Sequence, residues 1–227
     1  MQNPILQLPA PGTQAEWPLA GPAGRLETLV SVPNTDIYTG IAVICHPHPL
    51  YGGAMTNKVV WTLTASALKA GLVVARFNFR GVGKSEGVFD NAMGETEDAL
   101  AVVAALRQLQ PTAPLLLAGF SFGAYVSLKA AAQARPAAVV SIAPPFGRYV
   151  DSTERPAQPQ CPWLAVHSAD DDVVAYEETK AVLDAYASPP EFVHFDTAGH
   201  FFHGQLGALQ QAVLPFLERH FPRLASA

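Results

Sequence analysis

From residue 25 onward, short apolar and β-branched runs alternate with longer stretches of helical character. The pattern predicts strands at Arg25–Val32, Gly40–Cys45, Leu72–Asn78, Pro114–Phe120, Ala137–Ile142, Pro162–His167 and Glu191–Phe195. It predicts helices at Asn57–Ala70, Asn91–Leu109, Phe122–Ala134, Ala175–Ala187 and His203–His220. After Gly40 the strands are almost continuously apolar. Leu115, Leu116 and Leu117 run together, as do Val139 and Val140. Strands of this kind are buried on both faces, so helices should cover both sides of a mostly parallel sheet. The expected fold class is therefore α/β.

Residues 1–24 are rich in Pro, Ala and Gly and are read as an irregular leader, with residues 25–227 as one domain. The connection from Pro144 to Gln160 carries Pro144, Pro145, Pro156 and Pro159. It is too short and too irregular to form a helical lid. With 227 residues the chain can bury a sizeable core.

Composition narrows the function classes. Hydrophobic residues make up 49% and charged residues 15%, which fits a globular protein rather than a disordered one. The formal net charge is −5 and no Lys/Arg cluster is present, so a nucleic-acid partner is not expected. No apolar run approaches the ~20 residues of a membrane helix, so no membrane partner is expected. The N-terminus lacks the basic start and apolar core of a secretory signal. The two cysteines, Cys45 and Cys161, form no CxxC pair and read as reduced thiols, which suits the cytoplasm.

The segment Gly119-Phe120-Ser121-Phe122-Gly123 follows a predicted buried strand and opens a predicted helix. This is the G-x-S-x-G pattern in the context its chemistry needs. A sharp strand-to-helix turn lifts the serine hydroxyl above the sheet edge, and small residues two positions to either side avoid clashes. The helix starting at Phe122 directs its positive end at the site, which favours an oxyanion there.

A serine hydroxyl needs a base. The chain holds seven histidines. His167 and His194 fall inside strands and read as core residues, and His220 ends the last helix. His200 lies in a loop between the last strand and last helix, after the serine in chain order, and is the candidate base. His203 is the nearest rival. The acid should come from Asp170-Asp171-Asp172, in the loop after the Pro162–His167 strand. Only one of the three can face the histidine, and position alone does not choose among them.

Four segments carry a family resemblance: Cys45-His46-Pro47-His48-Pro49-Leu50-Tyr51-Gly52-Gly53, Arg76-Phe77-Asn78-Phe79-Arg80-Gly81-Val82-Gly83-Lys84-Ser85-Glu86-Gly87, the serine motif, and Gly199-His200-Phe201-Phe202-His203-Gly204. With these, the chain resembles the α/β-hydrolase superfamily, and within it the small lid-less bacterial serine hydrolases of the esterase and dienelactone-hydrolase type. The resemblance implies a mostly parallel sheet with no lid domain. The family's His-Gly-x-x-Asp-x-Val-Val motif, laid on His167–Val174, implies Asp171 as the acid, with Asp170 as fallback and Ser168 replacing the usual glycine.

The resemblance also places an oxyanion hole in the loop after the Gly40–Cys45 strand. Pro47 and Pro49 have no N–H to give, which leaves His46, His48, Leu50 and Tyr51. The expected donors are Phe122 and, by its family position, His48. An apolar rim of Leu50, Tyr51, Phe120 and Phe201, joined by Phe122 and Phe202, would receive the substrate. The Arg80–Ser85 turn lacks phosphate-loop spacing and is read as structural. His46-x-His48 lacks a convincing third ligand, so no metal is expected, and no cofactor.

The expected activity is carboxylesterase-like hydrolysis of a small-molecule ester. Alternatives are a thioesterase or small peptidase on the same residues, or a non-catalytic binding protein of the same fold. A homodimer is compatible with these readings.

Overall fold

The computed structural model describes residues 6–146 and 155–223. The strands are β1 (Gln14–Gly21), β2 (Gly24–Ser31), β3 (Gly40–Cys45), β4 (Leu72–Phe77), β5 (Leu115–Phe120), β6 (Ala138–Ile142), β7 (Trp163–Ser168) and β8 (Glu191–Phe195). The helices are α1 (Lys58–Lys69), α2 (Met93–Leu109), α3 (Phe122–Ala134), α4 (Tyr176–Asp184) and α5 (Leu206–His220). The strands form one eight-stranded sheet in the order β1-β2-β4-β3-β5-β6-β7-β8. β1 and β2 are antiparallel to each other, and β2 is antiparallel to β4. From β4 across to β8 every pairing is parallel.

β3, β4, β5, β6 and β7 are buried along their whole length. Their side chains divide between two cores. Ile41, Val43, Val73, Leu117 and Val139 face Val102 and Leu106 of α2 and Tyr125 and Val126 of α3. Ala42, Ile44, Val74, Leu116 and Val140 face Val60 and Leu63 of α1 and Val213 and Phe216 of α5. The period-two alternation of each strand thus feeds both layers, which is why these runs read as continuously apolar.

One sequence expectation is corrected. The presumed irregular leader contains β1, paired with β2 from Gln14↔Ser31 to Gly21↔Gly24. Trp17 and Leu19 alternate into the core while Glu16 and Pro18 point out. An edge strand can hold Pro18, whereas an inner strand would lose a ladder hydrogen bond.

Two helices start later than their apolar pattern suggests. α2 waits until Met93 because Asn91 and Ala92 hold positive φ, 50° and 68°. α5 waits until Leu206 because Phe202 and Gly204 do the same, at 52° and 73°. The parallel strands β3 to β8 all end on one side, so their C-terminal loops gather there.

Candidate active site

Ser121 follows β5 directly and precedes α3, with φ 53° and ψ −123°. A non-glycine residue here is strained, and strain of this kind often accompanies a functional site. The two flanking glycines make the turn possible. A β-carbon at Gly119 would run into the Gly123 carbonyl, and one at Gly123 would run into the carbonyls of Cys45 and His46 at the end of β3. The Ser121 N–H donates to Ile142 O at 2.8 Å, which pins the turn to β6.

The loops after β7 and β8 bring two further side chains to this serine. His200 Nε2 lies 3.1 Å from Ser121 Oγ, and His200 Nδ1 lies 2.8 Å from Asp171 Oδ2. The other oxygen, Asp171 Oδ1, accepts the N–H groups of Val173 and Val174 at 2.8 and 2.7 Å. Burial pushes the Asp171 carboxyl up, but the bonds from His200, Val174 and Val173 outweigh it and leave the group below the ordinary carboxylate range. The carboxylate is therefore ionised and acts as acceptor for Nδ1–H, which leaves Nε2 with its lone pair towards the serine. Ser121 is only 2% exposed and His200 3%, so the reactive atoms lie at the bottom of the loop cluster.

His203, the rival base, is exposed and stacks on Phe201 at 5.7 Å. His194 is not a core residue. It stands on the outer face of β8 with its side chain 56% exposed, 3.7 Å from Asp196, because β8 is an edge strand.

His167 is fully buried beneath the acid. Its Nε2 lies 3.0 Å from Val174 O, so the proton sits on Nε2, which is also 3.4 Å from Asp171 Oδ2. Nδ1 has no hydrogen-bond partner among the described residues. Burial chiefly holds this imidazole below its ordinary pKa, so the ring is neutral.

The histidines after β3 are built into the scaffold. His46 Nδ1–H donates to Pro47 O at 2.6 Å, and Nε2 accepts the Phe79 N–H at 3.0 Å. Both ring nitrogens are thereby spent, which removes His46 from any metal reading. Among the described residues no three His, Cys, Asp or Glu side chains gather as a metal ion would need. His48 precedes a single 3-10 turn at Pro49–Tyr51, and its Nδ1 accepts the Leu50 N–H at 3.2 Å. Its ring packs against those of Tyr51, Phe89 and Phe122 at 4.8–4.9 Å. Leu50 donates to the His48 ring and Tyr51 donates to His48 O at 3.1 Å. Neither can serve an oxyanion without giving up that bond.

The expected apolar rim needs correction. Leu50, Tyr51 and Phe201 are exposed at 67%, 78% and 42%. Phe120, Phe122 and Phe202 are wholly buried, because their side chains turn down into the two cores. Phe120 packs behind the base instead, 4.9 Å from the His200 ring and 5.9 Å from Phe201.

Neither of the other two aspartates meets the imidazole of His200. Asp172 is exposed. Asp170 is exposed too, but its Oδ1 accepts the Gly199 N–H at 2.8 Å and the Ser168 hydroxyl at 2.5 Å. The clue in the sequence is the Ser-x-Asp spacing, with serine where the motif of the resembled family has glycine.

Comparison with known proteins gives a consistent result. The family described as serine aminopeptidase, S33, matches residues 40–153. The protein RP471 of Rickettsia prowazekii (strain Madrid E) is 33% identical over 211 residues, covering 87% of this chain and 86% of the relative. An alpha-beta serine hydrolase homologue from Coxiella burnetii is 41% identical with a TM-score of 0.84, covering 93% of this chain and all of that one (100%). XC6422 from Xanthomonas campestris, described as an α/β serine hydrolase without lid, is 39% identical with a TM-score of 0.87, covering 97% of this chain and 100% of that one.

Proposed function

The chain belongs to the α/β-hydrolase superfamily, with an S33-like serine-hydrolase domain, and we propose that it cleaves small carboxylic esters through an acyl-enzyme formed on Ser121. The observation that carries the proposal is the unbroken chain of hydrogen bonds from Asp171 through His200 to a serine held at positive φ. His200 takes the Ser121 proton as the oxygen attacks the ester carbonyl. Asp171 fixes the imidazole tautomer and stabilises its charged form. The tetrahedral oxyanion is held by the backbone N–H of Phe122, at the start of α3, and by that of His48. His200 then protonates the departing alcohol. Water, deprotonated by the same imidazole, releases the acid.

The exposed Leu50, Tyr51 and Phe201 supply an apolar border suited to a short acyl or alkyl group. A second reading, amide hydrolysis next to a free amino group, is favoured by the S33 description and by one cavity. That cavity, of about 430 Å³, is lined in part by Asp172 and Glu178, whose carboxylates would suit an ammonium group. The ester reading is preferred because, among the described residues, the lining includes neither Ser121 nor His200.

The test is labelling by a fluorophosphonate, which needs an activated serine, beside turnover of a series of p-nitrophenyl esters and aminoacyl amides. Ser121→Ala should abolish both labelling and ester turnover with a native far-UV spectrum. Asp171→Asn should lose on the order of 10⁴ in kcat, because the imidazole can then take the wrong tautomer. Hydrolysis of aminoacyl amides in preference to every ester would replace the first reading with the second.

A further inference from the structure

The base and the acid stand on different loops, so their 2.8 Å contact depends on how those loops are tied together. Two side chains beside Asp171 make the tie. Ser168 Oγ accepts the Ala198 N–H at 2.8 Å, and Asp170 Oδ1 accepts the Gly199 N–H at 2.8 Å. The Ser168 hydroxyl donates to the same Asp170 oxygen at 2.5 Å. A backbone bond from Ala169 N to Phe195 O at 2.7 Å completes the seam between the loops. The two N–H groups immediately before His200 are therefore both held by side chains that flank the acid. Ser168 is wholly buried. The hydroxyl from Ser168 and the N–H from Gly199 hold the Asp170 carboxyl below the ordinary range, so it stays ionised as an acceptor.

We propose that Ser168 and Asp170 are positioning residues that hold the His200 loop in register with Asp171. The proposal rests on the reading of Ser121, His200 and Asp171 as the reacting residues. Gly199 makes such a clamp necessary. Its φ is +59° and a β-carbon there would meet nothing within 4 Å, so no packing at position 199 itself fixes the backbone next to His200. A glycine at position 168 would offer no oxygen to Ala198 and no proton to Asp170. The serine in this chain supplies both.

The reacting geometry is sensitive to displacements of about 1 Å, worth roughly a hundredfold in rate. Ser168→Ala and Asp170→Ala should each lower kcat by about tenfold to a hundredfold while KM moves by less than about twofold. Asp170→Asn keeps an oxygen for Gly199 and should recover most of that loss. In proton NMR, the downfield imidazole Nδ1–H resonance of the His200–Asp171 pair should be sharp in the wild type. It should be broadened by exchange in Ser168→Ala and Asp170→Ala. In an Asp171→Asn background, Asp170→Ala should cost less than about threefold more, since both act through one imidazole.

A lowered melting temperature with unchanged kcat and an unchanged Nδ1–H resonance would overturn the proposal. So would a rise in KM alone, which would make the pair a substrate contact. Ser121→Ala and His200→Ala, measured alongside, separate the two levels. If either keeps more than about a tenth of wild-type turnover, the underlying site reading fails. If both are inactive while Ser168→Ala and Asp170→Ala turn over at full rate, only the clamp fails.

Discussion

Gly123 of α3 packs directly beneath the Cys45 carbonyl at the end of β3, with no room between them for a β-carbon. The contact sets how closely the helix carrying the serine approaches the neighbouring strand. Gly123→Ala must push α3 away from β3 and drag the Ser121 turn with it. The expected cost is about 1–3 kcal/mol of stability from overpacking. Activity should fall further than stability suggests, by roughly a hundredfold in kcat, because the displacement lies next to the nucleophile. Denaturant unfolding and ester turnover on the purified variant check both. A variant with native kcat would show that this approach does not control the serine.

The Arg80–Ser85 turn is held by a buried ion pair. Arg80 Nε and Nη2 grip Asp98 Oδ2 and Oδ1 at 3.0 and 2.8 Å, and the Arg80 N–H donates to Oδ2 at 3.0 Å. The Asp98 side chain is fully buried and that of Arg80 is 9% exposed. Arg80 also meets Glu97 Oε2 at 3.4 Å and Asp90 Oδ2 at 3.9 Å, so Asp98→Ala leaves the guanidinium partly paired but strips its buried bonds, and should cost about 1–3 kcal/mol in a urea titration. ATP should not raise the melting temperature of the wild type, since this turn binds α2 rather than phosphate. Stabilisation by ATP, with a mild Asp98→Ala phenotype, would reverse that assignment.

The serine elbow is legible in the sequence because its chemistry demands local residues: a buried strand, G-x-S-x-G and a helix in immediate succession. His200 is legible from chain order. Asp171 is not separable from Asp170 and Asp172 by the residues alone, and only the family motif singles it out. What decides the matter physically is that Asp171 alone of the three meets the imidazole, with two N–H groups holding its second oxygen. The Ser168–Asp170 tie is illegible because a side chain that bonds backbone across two loops leaves no periodic trace. β1 is hidden for a different reason. Only Trp17 and Leu19 mark its inward face, and the surrounding Pro, Ala and Gly mask the alternation. Phe120 and Phe122 misled the rim reading because the strained serine turn exposes the hydroxyl while directing its apolar neighbours inward.

Acid should destabilise the protein through His46. Burial pushes this imidazole from 6.5 down to about 4, against the opposing pull of its bond to Pro47 O. The unfolded chain then binds a proton that the folded chain refuses, in the window between those two values. Stability from this group is complete above about pH 6.5 and is lost as pH falls towards about 4, by ~3 kcal/mol in all. His167, also held below its ordinary value by burial, acts in the same direction. Urea unfolding at about pH 7 and about pH 5 should show the loss in the wild type and a shallower slope in His46→Gln. Equal slopes in the two proteins would rule out His46 as the source.

Access to Ser121 should not depend on a moving lid. In this fold a lid would be inserted between β6 and β7, and both described ends of that connection are fastened to α4 and its C-terminal end. Thr179 Oγ1 donates to Pro144 O at 3.1 Å, and Tyr186 Oη donates to Pro156 O at 2.8 Å. Phe146 adds an edge contact to the Tyr186 ring at 6.4 Å. The sequence expectation of an irregular connection from Pro144 to Gln160 covers residues 147–154, which lie outside the described residues. A segment that swung over and away from Ser121 from this connection would have to work against both anchors. A short-chain ester followed through its solubility limit should therefore give a smooth saturation curve, with rates set by dissolved substrate. Triglyceride emulsions should be poor substrates. A sharp rise in rate as droplets form, with a preference for long chains, would mean that a segment over Ser121 opens at an interface. It would require the bonds from Thr179 and Tyr186 to break during turnover.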